Sequence, residues 1–139
     1  MNVTDIMREA LDLGACSKSN AVTDWRTLAW LFFSPQGEEF CAEKNFPDIN
    51  TFRLIAENVK DFNVYVDAGK LKRINDKNIA VIGDTEAELT YTDNTSVHKV
   101  YAMHGAKVNI IARNYAVVKV VNTDGDVRVN KDKTSVILK

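Results

Sequence analysis

Two cysteines, two histidines, six glycines and a net charge of −1 leave this 139-residue chain short of the usual carriers of chemistry. Cys16 and Cys41 form no CxxC pair, are too few for a disulfide framework and match no zinc module. Gly69, Gly83 and Gly105 stand alone, so no glycine-rich loop is present to cradle a phosphate. The near-zero net charge gives no overall attraction to nucleic acid or to an anionic membrane. No apolar run approaches the ~18 residues that read as a membrane span. Leu13-Gly14-Ala15-Cys16 has the wording of a lipobox. A lipoprotein signal, however, needs roughly 7–15 uninterrupted apolar residues before it, and Asp5, Arg8, Glu9 and Asp12 break that stretch. The expected location is therefore cytoplasmic.

What the chain does have is an ordinary globular composition, 45% hydrophobic and 27% charged, and a beat. From Ile79 to Leu138, turn-type or polar residues recur every ten positions, at Asp84, Asn94, His104, Asn114, Asp124 and Thr134. A fixed period is the mark of a repeat architecture. Between the turns the even-numbered residues Val100, Ala102, Ala106, Val108, Ile110, Ala112, Ala116, Val118 and Val120 are all apolar. Period two means strands with one face inward. The phase changes near Gly125, where a strand can bulge and swap faces, and Val127 and Val129 then take over.

The first part of the chain reads as four short helices. Thr4 is placed to cap the first, which Gly14 stops. Thr23 or Asp24 begins the second, Ser34 and Pro35 the third, and Asp48 or Asn50 the fourth; Ser17 to Asn20 read as a polar link. The predicted fold is α+β, with a helical cap over residues 1–62 on a β-solenoid (a single-stranded β-helix) over residues 63–139. Each coil would span two ten-residue blocks, giving about three coils. The alternative is an antiparallel β-meander packed on the helices. It is weakened because tight hairpins want Asn-Gly or Asp-Gly, and only Asp124-Gly125 supplies one.

Candidate chemistry is sparse. His98 and His104 lack recognisable partners for a metal and read as a surface residue and a turn residue. Cys41, beside Phe40 on an apolar helix face, reads as a buried inert thiol rather than a nucleophile, and Cys16 is weighed in the same way. Lys70, Lys72 and Arg73 could join Lys77, Lys99, Lys107, Arg113 and Lys119 in a positive stripe, but no aromatic platform or reading helix accompanies them. No catalytic, cofactor-binding or metal residue is expected. The candidate interaction surface is Tyr91, Tyr101, Lys107, Arg113 and Lys119, with the two tyrosines placed to stack on a sugar or an aromatic partner. The C-terminal β edge is a candidate for self-association.

Several phrases carry a resemblance: Leu31-Phe32-Phe33-Ser34-Pro35-Gln36-Gly37, Glu39-Phe40-Cys41, Asn45-Phe46-Pro47, Met103-His104-Gly105-Ala106 and Asn114-Tyr115-Ala116. With these the chain resembles a group of small proteins from gut Bacteroidetes and their phages or prophages, to which no activity is attached. The resemblance implies a phage- or mobile-element-linked setting, a virion association among the options, and a β-repeat tail. It implies no reaction. The expected function is a non-enzymatic structural or protein-interaction module. A carbohydrate-binding module and a phage-encoded inhibitor of a host protein are the alternatives.

Overall fold

The structure, a computed structural model, describes residues 1–15 and 21–139, so Cys16 and the link at Ser17 to Asn20 lie outside the described residues. It divides into two compact units, Met1–Val64 and Tyr65–Lys139.

The first unit contains α1 (Val3–Asp12), α2 (Trp25–Phe33), α3 (Pro35–Lys44) and α4 (Ile49–Val59), followed by a 3-10 turn at Lys60–Phe62. Each helix starts where a short polar side chain accepts one of its otherwise orphaned N–H groups. Asp24 accepts from the Thr27 N–H at 2.8 Å, Ser34 from Gly37 at 3.1 Å, and Asp48 from Thr51 at 2.7 Å. These agree with the sequence. The first helix differs, because its cap is Asn2 rather than Thr4. The Asp5 N–H donates to Asn2 at 2.9 Å, the Asn2 N–H donates back to the Asp5 carboxylate at 3.1 Å, and this reciprocal box outcompetes a cap two residues further in. Among the described residues no helix is long and apolar enough to cross a membrane.

The second unit is a β-solenoid. Its strands are β1 (Val64–Val66), β2 (Gly69–Ile74), β3 (Asn78–Ile82), β4 (Thr85–Tyr91), β5 (Val97–Met103), β6 (Lys107–Ala112), β7 (Val117–Asn122), β8 (Asp126–Lys131) and β9 (Val136–Leu138). Odd-numbered strands form one sheet in the order β1-β3-β5-β7-β9, and even-numbered strands form the other in the order β2-β4-β6-β8. The ladders run parallel, which excludes the meander. Lys70 pairs with Glu86, Glu86 with Lys107 and Lys107 with Asp126, so successive coils advance by 16, 21 and 19 residues. There are four two-strand coils and then β9, rather than about three coils. The extra one, β1 and β2, escapes the ten-residue beat because its advance is only 16.

The even-numbered apolar series from Val100 to Val120 lies in the core between the sheets. Burying each valine or isoleucine there contributes about 1.5–3 kcal/mol. The phase change near Gly125 has a different cause from a bulge. A coil of 19 residues places odd-numbered Val127 and Val129 over even-numbered Val108 and Ile110. Gly125 itself sits in the corner after β7, where a Cβ would stand 2.8 Å from that of Ala102.

Corners are joined from coil to coil by side chains. The Asn75 carboxamide accepts from the Thr92 N–H at 2.8 Å, and that of Asn114 donates to the Thr92 carbonyl at 3.1 Å. His104 and Asn114 hold left-handed backbone, as turn residues do. Asp93-Asn94-Thr95-Ser96 and Asp132-Lys133-Thr134-Ser135 are the same turn used twice. In each, one aspartate oxygen accepts the N–H and hydroxyl of the following threonine. The Thr134 hydroxyl holds the Asp132 carboxyl well below the usual 3.8, and Thr95 lowers Asp93 in the same way. A carboxyl depressed in the fold stabilises it fully above the unfolded value and loses that contribution as pH falls through the folded value. The urea midpoint is therefore expected to drop on acidification below the ordinary carboxylate value of 3.8, and Asp132→Asn to flatten that limb. An unchanged acid limb in the variant would show that this turn has no such role.

Candidate functional site

The two sheets present different outer faces. On the even-numbered sheet the outward residues form rows across the strands: Lys70, Glu86, Lys107 and Asp126, then Lys72, Glu88, Asn109 and Arg128. Opposite charges alternate along the first row, and Lys72 reaches Glu88 at 3.6 Å. Cross-strand pairs of this kind support a sheet, and they cancel the charge that a phosphate backbone would need. The lysines weighed for a positive stripe do not line up in one. Lys107 stands between Glu86 and Asp126, whereas Lys99 and Lys119 belong to the other sheet. Arg73 stands in register with Leu89, Ile110 and Val129 but is exposed, and its guanidinium holds Asp76 at 2.7 and 3.1 Å.

On the odd-numbered sheet a row of valines faces out. Val97 pairs with Val117, and Val117 with Val136, on consecutive coils. Val97 is 51% and Val136 46% exposed, and Leu138, two residues on from Val136, is exposed beside them. The adjacent row is Lys99, Lys119 and Leu138, which gives the apolar strip a basic margin. Tyr115, exposed and held in left-handed backbone, precedes β7.

Of the residues singled out from the sequence, Lys119 belongs to this strip. Tyr91 and Tyr101 do not. They are 1% and 0% exposed, so neither can stack on a sugar or a partner ring. Tyr91 points into the coil, where its hydroxyl has no hydrogen-bond partner and burial pushes its pKa up. Arg113 is committed to the corner, donating to the carbonyls of Ala112 and Asn130, each at 2.9 Å.

His98 is not a surface residue. It is 1% exposed, with Nδ1 2.9 Å from the Asp76 carbonyl oxygen and Nε2 3.1 Å from that of Asp93. Its ring lies 4.7 Å from that of Tyr91. It therefore ties two corners together from inside, which nothing in its neighbourhood in the sequence announces. Among the described residues no three His, Cys, Asp or Glu side chains converge as metal ligands.

The first unit holds a different feature, a partly open apolar pocket of about 110 Å³. Cys41 lines it, and burial pushes the thiol up to about 12, so it is not a poised nucleophile.

No family model, curated protein or solved structure matches the chain. The functional reading rests on the geometry.

Proposed function

We propose that the protein is a non-enzymatic structural and protein-interaction module that receives a protein partner on the valine strip of the odd-numbered sheet. The observation that carries this is the row Val97, Val117 and Val136, stacked in register and left in water on consecutive coils. Side chains of this kind on a regular face gain free energy only when something covers them. Lys99 and Lys119 along the margin favour a partner with acidic groups around an apolar centre. The setting we infer is cytoplasmic or virion-associated, as the resemblance to phage-linked proteins implies.

The strip is a better docking place than the open ends of the solenoid. Among the described residues the even-numbered sheet ends in β2 and β8. Both put a cation at an inward position that apolar or aromatic residues hold in the strands between: Arg73 in the row of Leu89 and Ile110, and Lys131 in the row of Tyr91 and Ala112. Inward charge on an edge strand discourages another chain from continuing the stack. This argument holds for the even-numbered sheet; β9, the C-terminal edge, belongs to the other sheet and carries Val136 and Leu138 of the strip.

The test is solution mass by light scattering together with hydrogen exchange on the purified protein and on Val117→Lys. Val117 is half-buried on the outer face, so the variant is expected to fold. A self-partner predicts a multiple of the chain mass that collapses to one chain in the variant. A foreign partner predicts a single-chain mass and a cognate complex lost in the variant. A complex that survives Val117→Lys and protects other surfaces would remove the strip from the reading.

A further inference from the structure

We propose that the cavity in the helical unit is a binding site for one small uncharged apolar molecule, about the size of a six-membered ring. The inference is independent of the valine strip and rests on three observations.

The first is size. The void is about 110 Å³, on the scale of the engineered apolar void of ~150 Å³ that stays dry and takes up benzene or xenon. The second is the chemistry of the wall. Ile6 and Met7 from α1, Phe32 from α2, and Phe52 and Ile55 from α4 face it, and among the described residues the Gln36 amide and the Cys41 thiol are the only side-chain groups on it that are not hydrocarbon or thioether. A water molecule needs ~2–4 polar partners to settle in a cavity, and this wall does not offer them. A charged ligand would find no counter-charge.

The third is that the void is held open by backbone rather than by loose side chains. Gly37 of α3 presses directly on the end of α2. A Cβ there would overlap the Leu31 carbonyl oxygen and stand 2.7 Å from that of Phe32, so these two helices cannot close further. At the far end of α3, Asn45 turns left-handed and sets Phe46 edge-on to Phe40 at 5.7 Å. On the opposite wall Phe32 meets Phe52 edge-on at 6.1 Å. The backbone contact at Gly37 fixes one side of the pocket, and an apolar guest regains contacts that the empty wall forgoes.

The experiment is thermal unfolding of the whole chain in benzene-saturated buffer, with phenol at the same concentration as a polar comparator. Benzene is expected to raise the midpoint by a few degrees, because a ligand bound only by the folded state stabilises it. Phenol should raise it less, because its hydroxyl gives up water against a wall that is almost wholly apolar. Ala10→Leu and Ala29→Leu fill the space from two different helices, and each should remove most of the benzene effect. Xenon provides a readout that needs no substitution. Under pressure it should shift the methyl resonances of Ile6, Met7 and Ile55 and leave those of Val108 and Ile110 in the solenoid in place. The proposal is overturned by an unchanged midpoint in benzene, by phenol matching benzene, by a benzene effect that persists in every filling variant that folds, or by xenon shifts of equal size in both units.

Discussion

Gly37→Ala is expected to destabilise the helical unit by about 2 kcal/mol or more, against the sign that helix propensity assigns. Gly37 lies inside α3, where exchanging glycine for alanine would by itself stabilise a helix by about 1 kcal/mol. The added methyl, however, would overlap the Leu31 carbonyl oxygen and stand 2.7 Å from the Phe32 oxygen, both backbone atoms that cannot rotate away. Overpacking of that kind costs about 1–3 kcal/mol and occasionally more. Here it also strains the junction where the Ser34 hydroxyl donates to the Leu31 carbonyl at 2.6 Å and accepts from the Gly37 N–H. Urea unfolding followed by tryptophan fluorescence reads this unit, since Trp25 and Trp30 both lie on α2. A variant as stable as the parent would mean that α2 and α3 do not meet at this glycine.

His98→Ala should cost still more, about 3–5 kcal/mol, and should act on the solenoid. The substitution removes the ring N–H that can serve the Asp76 or the Asp93 carbonyl and empties the space against Tyr91. Two further variants separate these causes. His98→Leu refills much of the volume but supplies no donor, so it should recover only the packing part. Tyr91→Phe removes a hydroxyl that has no partner and should be close to neutral. The measurement is the urea midpoint of each protein, with hydrogen exchange at the two corners. Equal stability of His98→Ala and the parent would show that the corners do not depend on the ring.

The limits of legibility follow from the same residues. Helix starts at Asp24, Ser34 and Asp48 were readable because a cap is decided within three or four positions of itself. The inward alanine and valine series was readable because period two holds along any one strand. Tyr91 was misplaced for a reason of geometry. It is odd-numbered, like the outward residues near Val117, yet β4 lies 21 residues before β6, and an odd advance exchanges which parity faces in. Tyr91 therefore shares its row with even-numbered Ala112. The valine strip was hidden by the same arithmetic, since its members stand 20 and 19 positions apart and only register aligns them.

The sequence by itself determined the division into helices and strands, most turn positions and the alternation along each strand, since these are local preferences repeated many times, but it left solenoid and meander both open. Only the tertiary structure decided how far each coil advances, and with it which aromatic is core, which histidine is buried and which valines meet in one exposed strip. The physical reason is that a side chain one position out of register changes face. The length of each coil is set by corners whose hydrogen bonds, such as those of Asn75 and Asn114, are made to the coil above or below rather than to neighbours in the chain.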